Sequence, residues 1–251
     1  MPINLFKKIY NHKTERVSLA ALILSVFSFS SFILGLLRDR LLTSTFGAGN
    51  ELDVYYASFR IPDFIAIVLM TGAIGVAIIP IFTKNLVESK ERAFNYLSNL
   101  LNLSLMSLII ICGILFIFTP NLVSLIAPGF SEEKKEITSL LTRIMFLSPI
   151  LLGISNIMSA VLRVFQRFLI TALAPVVYNL GSIIGIVFFV PKFGISGLAW
   201  GIVLGAFLHF LIQVPALFKV GFKIKNIFNF LDKDFLLTIK LTVPRAVGLA
   251  A

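Results

Sequence analysis

A single cysteine, Cys112, excludes an intrachain disulfide, and the two histidines, His12 and His209, lie too far apart in the chain to form a Cys/His metal-ligand spacing. There is no HExxH pair, and no glycine-rich loop closed by Lys-Ser or Lys-Thr to cradle nucleotide phosphates. Metallohydrolases and P-loop ATPases are therefore not expected, and no cofactor is implied. Energy, if required, has to come from an ion gradient or the membrane potential. Acidic residues are scarce, 12 against 22 Lys and Arg. The adjacent carboxylates Glu132 and Glu133 sit in a mixed-charge EEKKE run, which reads as an exposed helix start rather than as an acid/base pair. No enzyme is expected. Charged residues make up only 14% of the chain, well below what a water-soluble domain of 251 residues carries.

Apolar residues fill the gap. They amount to 58% of the chain, with a mean hydropathy of +0.97, which places it among integral membrane proteins. Uncharged runs long enough to cross about 30 Å of hydrocarbon as helices occur at 17–37, 64–83, 97–119, 144–162, 168–190 and 193–218, and a seventh begins near 235. Without period-two alternation a barrel is not expected. The fold class is thus an all-α polytopic membrane bundle: a basic interfacial segment at 1–16, a six-helix lobe at 17–218, an amphipathic connection at 219–234 and the start of a seventh helix at 235–251. Residues 1–16 resemble a signal peptide, but the length of the following run and the lack of a small-x-small cleavage site make it a retained span.

The net charge of +10 would suggest nucleic acid in a soluble protein. Here the basic residues lie in short connections, which points to topology and anionic lipid instead. Lys7, Lys8, Lys13 and Arg16, with the connections at 84–92, 163–167 and 219–240, load one side. The other side receives only Arg38, Arg40, Lys134, Lys135 and Lys192. By the positive-inside rule the N-terminus is cytoplasmic.

The exception to the apolar pattern is residues 35–80. Arg38, Asp39, Arg40, Glu51, Asp53, Arg60 and Asp63 cluster there around an FGAG turn at 46–49, at the outer end of the first two spans. Ionisable groups at a membrane edge mark a functional site unless they face water or one another. Arg38 and Arg40 read either as interface anchors paired with Asp39 or as cations that grip an anionic substrate, for which the planar guanidinium is suited. Asp53 reads as a helix N-cap or as the partner of a basic side chain. Pro62 predicts that a helix starts or breaks there, with Asp63 in its first turn.

Elsewhere, Gly72, Ala73, Gly75 and Ala77 in the second span, and Gly197, Gly201 and Gly205 in the sixth, offer faces for close helix packing. Residues 121–136 predict a loop with an APGF turn. Pro149 and Gly153 predict a kink in the fourth span, and Pro175 lies in the fifth. Leu5, Phe6, Ile9 and Tyr10 fit an interfacial helix or a frayed tail. Ile224, Ile227, Phe228 and Leu231 recur at helical spacing and predict an amphipathic interfacial helix. His209 reads most simply as a packed, hydrogen-bonded side chain.

The run LGLLRDRLLTSTFGAG, then ELDVYYASFRIPDF, TGAI and IIPIF, resembles the signature region of the MurJ (MviN) family of lipid II flippases in the MOP exporter superfamily. APGF at 127–130, FLSPI at 146–150, LRVFQRFLITALAPVVYN at 162–179 and GLAWGIVLGAFLHFLIQVP at 197–215 continue the resemblance in order. It implies a fourteen-helix transporter working by alternating access around a cationic cavity, of which this chain holds the first lobe and the start of helix seven. The implied cargo is undecaprenyl-pyrophosphate-linked disaccharide-pentapeptide, moved outward across the bacterial cytoplasmic membrane. The implied substrate-binding residues are Arg38, Arg60, Asp53 and Asp39. The implied partners are the lipid-linked glycan, membrane lipids and a second lobe of the same protein, with no nucleic acid. The family pattern has arginine at the position of Phe32, one or two more at Ala66 and Ile67, and a Glu-Gly-Ala at 71–73, where this chain has Thr71. These departures leave open a second reading, a MOP-type exporter of another polyprenyl-linked glycan. The end of the chain at Ala251, inside an apolar segment, leaves a third, a non-transporting half-protein.

Overall fold

The computed structural model describes residues 13, 16–47, 49–73 and 77–250, and side chains within these except for 68–73 and 245–250. The expected interfacial helix at 1–16, His12, the small-residue face at Gly72, Ala73 and Gly75, and the side chains of Thr71 and Arg245 lie outside what is described. All elements among the described residues are helical.

The first helix, α1 (Val17–Phe46), does not stop at Arg38 but carries the charged group through two further turns. It ends at Gly47, whose φ of 67° suits glycine and whose N–H donates to the Thr43 carbonyl at 2.9 Å. The next helix, α2 (Asn50–Ala73), begins at that turn with Glu51 and Asp53 in its first turn, where carboxylates favour the positive end of the helix dipole. Pro62 lies inside α2, so the expected start at Pro62 is wrong, and Asp63 sits mid-helix. Proline removes the N–H that would bond the Ser58 carbonyl. That carbonyl is met instead by Thr142 Oγ1, 3.2 Å away on another helix, which shares its one proton with the Thr138 carbonyl at 2.8 Å, and the helix passes through.

Beyond a short π turn at 77–78, α3 (Ile79–Glu88) leads to the cap Ser89, whose Oγ accepts from Arg92 N at 3.0 Å and starts α4 (Lys90–Ile117). Pro120 does not end the ordered chain: it occupies the first turn of a further helix, α5 (Thr119–Ile126), so part of the expected loop at 121–136 is helical. The APGF turn follows, with Phe130 N–H donating to Ala127 O, and then Ser131 caps α6 (Glu132–Met145), with Glu132 and Glu133 in its first turn.

After a break at Phe146 comes α7 (Leu147–Val164). The expected kink at Pro149 and Gly153 therefore falls one turn earlier, where Pro149 cannot donate to the Met145 carbonyl. Gly153 serves packing instead, since a Cβ there would lie 2.7 Å from Leu108 Cδ1. Then come α8 (Phe168–Ile184), which contains Pro175, a π turn at Gly185–Phe189, and the short α9 (Val190–Phe193). They are followed by α10 (Ser196–Leu211), α11 (Val214–Lys219) and α12 (Lys233–Ala250). Five helical stretches among the described residues are long and apolar enough to cross a membrane: Val17–Phe46, Lys90–Ile117, Glu132–Val164, Phe168–Phe193 and Ser196–Lys219. The second expected span, 64–83, includes residues 74–76, outside those described.

Packing puts α8 at the centre, between α1 and α10, while α2 lies on α6 and α12. The glycines of α10 meet α8, the π turn and the start of α9 backbone to backbone, as small residues in a membrane helix allow: Gly205 faces Tyr178 and Gly181, Gly201 faces Gly185, and Gly197 faces Phe189 and Val190. His209 is buried and hydrogen-bonded, with Ser155 Oγ 2.7 Å from its Nδ1 and Gln213 completing the network with Ser155 and Ser159. By contrast α1 buries little of itself, and Phe29 and Phe32 point outward, as lipid-facing side chains do.

The segment expected to be an amphipathic helix near 221–234 is instead irregular, without helix, over residues 222–229. Apart from a tight turn in which Ile227 N–H donates to the Lys225 carbonyl at 2.9 Å, its backbone is bonded mainly to side chains of α4. Asn99 makes a two-way clasp with Asn229, accepting from its N–H at 2.7 Å and donating to its carbonyl at 2.9 Å. Asn102 donates to the carbonyls of Lys225 and Ile227, and Ser98 accepts from Lys225 N–H. These polar side chains supply the partners a helix would have supplied internally.

Candidate functional site

The two consecutive helices α1 and α2 hold the site. Arg38 lies eight residues before Phe46, and Arg60 ten after Asn50, so the backbone of each sits about 12–15 Å along its helix from the turn at 1.5 Å per residue. A depth of that size lies inside the hydrocarbon slab when the turn is at headgroup level. Both arginines line one cleft of about 700 Å³. Its walls are Arg38, Asp39 and Leu42 from α1, Tyr178 from α8, and from α2 Tyr55, Tyr56, Phe59, Arg60, Asp63, Phe64 and Ile67. The face of α2 follows from its sequence, because Tyr56, Arg60, Asp63, Phe64 and Ile67 recur at three- and four-residue intervals.

Within the cleft the two cations differ. Arg38 is gripped by its neighbour: Nε and one terminal nitrogen donate to Asp39 Oδ1 at 2.9 and 2.8 Å. Arg60 has no hydrogen-bond or ion-pair partner among the described residues, and its side chain is exposed to the cleft. Asp63 likewise has none. With two guanidiniums and two carboxylates the wall is formally neutral, yet the uncompensated donors are those of Arg60 and the outer edge of Arg38. Tyr55 stacks edge-on against Phe59 at 4.9 Å between centroids and leans on Tyr56 at 5.5 Å, giving the cleft an aromatic side.

Of the residues singled out from sequence, Arg38, Asp39 and Arg60 converge here. Asp53 does not: it is exposed in the first turn of α2, its N–H bonded to Gly49 O at 3.3 Å, and it makes no ion pair among the described residues. It is not the N-cap, since Asn50 is already helical. Ile67 lines the cleft where the family pattern has an arginine, and Ala66 lines a water-sized cavity beside it. Sequence reasoning missed Tyr55, Tyr56, Phe59 and Asp63 as cleft residues, though the periodicity of α2 marked most of them. It had no signal for Tyr178, which arrives from α8. Among the described residues no group of His, Cys, Asp and Glu is placed to hold a metal ion.

The family model described as "Lipid II flippase MurJ" matches residues 42–251 of this chain. The chain belongs to the MurJ family. A "Probable lipid II flippase MurJ" of Buchnera aphidicola subsp. Acyrthosiphon pisum is 30% identical over 232 residues, covering 90% of this chain and 45% of that protein. A "Lipid II flippase MurJ" of Burkholderia cenocepacia is 30% identical over 216 residues, covering 80% of this chain and 40% of its own length. Among solved structures, "Lipid II flippase MurJ, inward closed conformation" superposes with a TM-score of 0.75 at 27% identity, over 91% of this chain and 48% of that one. A MATE transporter shares the fold at a TM-score of 0.75 and 17% identity. The chain thus spans about half the length of the relatives it matches. It is a multi-pass membrane protein with the fold of one lobe of a MOP-type exporter.

Proposed function

We propose that this chain is the N-terminal lobe of a flippase that moves lipid II outward across the bacterial cytoplasmic membrane, with its N-terminus in the cytoplasm. The observation that carries the reading is the convergence of Arg38 and Arg60 at matching depth in one cleft. A pyrophosphate is the anionic joint of the cargo, and guanidinium forks suit its oxygens bidentately. Arg60 offers its donors uncommitted, and Arg38 is held in place by Asp39. The exposed rings of Tyr56 and Phe64 offer flat apolar faces to sugar rings. Asp53, at the mouth, acts by orienting the approach of a basic group or an ion rather than by touching the pyrophosphate.

Alternating access requires places where helices bend. The break at Phe146, the π turn at Gly185–Phe189, Pro175 and the turn between α10 and α11 supply them within this lobe. No step depends on a cofactor. With the potential negative inside, outward transfer of an anionic head is favoured by about 2.3 kcal/mol per charge per 100 mV. The relatives' names favour lipid II over another polyprenyl-linked glycan.

The test is genetic. Arg38→Ala, made in the full-length gene, fails to rescue a flippase-depleted bacterium while accumulating in the membrane at the normal level. Full rescue by this variant removes Arg38 from the mechanism.

A further inference from the structure

Arg60 borders a second cavity on the opposite side from the cleft. This groove, about 500 Å³ in volume, runs between α2, α4 and α5, and Arg60 is its sole polar residue. Its floor is Ile61 and Ile65, both buried, and its walls are Ile111, Leu115, Leu122 and Ile126. The last four lie near the outer ends of α4 and α5, so the groove occupies the outer half of the membrane. Arg60 and Phe64 belong to both cavities. Arg60 thus lines both a polar, aromatic-walled cleft and a groove whose surface is almost wholly apolar, to which it presents its aliphatic stem.

An arginine inside the hydrocarbon slab, with no partner among the described residues, is stabilised by an anion brought to it. An anion that also fills the groove must carry an apolar chain, and one that also fills the cleft must carry a polar head. We infer that the groove seats the first isoprenoid units of the cargo, with the pyrophosphate at Arg60 and the glycan in the cleft. The inference rests on the flippase reading above and adds to it a tail subsite on this lobe. The volume is that of a small-ligand site, enough for the start of a polyprenyl chain and not for its whole length.

The experiment uses the full-length protein in vesicles, with a photoreactive benzoylphenylalanine replacing Leu115 or, separately, Leu122. The same residue in place of Ile109, which is exposed on another face of α4, serves as the control. The probe is a radiolabelled undecaprenyl-pyrophosphate-linked glycan. Capture several-fold higher at positions 115 and 122 than at 109, and lost with Arg60→Gln, is the expected result. Equal capture at all three positions, capture indifferent to Arg60→Gln, or labelling of phospholipid alone overturns the inference. Translocation by the unsubstituted protein is measured alongside. Translocation without selective capture removes only the tail subsite. Selective capture without translocation leaves the groove as a prenyl-pyrophosphate seat and removes the flippase reading.

Discussion

Replacing Gly201 by alanine tests the packing that places Tyr178 in the cleft. A Cβ at Gly201 would lie 2.6 Å from Gly185 Cα, 3.2 Å from Ser182 O and 3.3 Å from Gly185 N. Carbon atoms pack at about 3.5–4.0 Å, so the helices must part by about 1 Å. All three obstructing atoms are backbone, and no side-chain rotation relieves the overlap. Overpacking of this kind costs about 1–3 kcal/mol, against which alanine regains up to about 1 kcal/mol of helix propensity, leaving a net loss of about 1–2 kcal/mol. Because Gly185 directly follows α8, which carries Tyr178, the same displacement moves a cleft wall. The assay is the thermal midpoint of the purified full-length protein in detergent, with Gly113→Ala as the control, since nothing lies within 4 Å of a Cβ at Gly113. Gly201→Ala lowers the midpoint and Gly113→Ala does not. Equal midpoints would refute the claim that α8 and α10 are in backbone contact.

Two further outcomes follow from the same reasoning. Thr142→Val strips the Ser58 carbonyl, already abandoned by Pro62, of its hydroxyl partner, and a buried unsatisfied carbonyl costs about 1–3 kcal/mol; loss of thermal stability without loss of membrane insertion is the expected reading. Asn99→Leu removes both bonds of the clasp on Asn229, so trypsin cleaves at Lys223 and Lys225 faster than in the parent protein, whereas an unchanged cleavage rate would show that the segment is held by other contacts.

Particular residues show how far the sequence could be read. The uncharged runs that became α4, α8 and α10 were plain because crossing hydrocarbon demands length and composition and little else. The four-residue spacing of Gly197, Gly201 and Gly205 likewise announced a close contact, and the backbone from α8 to the start of α9 fills it. The failures share one cause, a partner supplied from far along the chain. Ile224, Ile227, Phe228 and Leu231 have helical spacing, yet Ser98, Asn99 and Asn102 take over the backbone bonds and hold the segment in a non-helical course. Pro62 obeys the local rule for a helix start until Thr142 answers its orphaned carbonyl. In the cleft, the charges of α1 and α2 were visible as a cluster, but which of them face one another depends on helix phase. Asp53 and Asp63 exchange prominence for that reason, one falling outside the cleft and the other inside it. Tyr178 joins them only through the packing of α1 on α8.

The central claim is that Arg38 and Arg60 together form an anion seat for a lipid-linked pyrophosphate, and binding measures it most directly. The full-length protein, its Arg38→Gln and Arg60→Gln variants, and Lys192→Gln as an exposed charge control outside the cleft are titrated with lipid II in nanodiscs. Both arginine variants bind at least about tenfold more weakly, which corresponds to about 1.4 kcal/mol, and Lys192→Gln binds as the parent does. Unchanged affinity in both arginine variants would contradict the account.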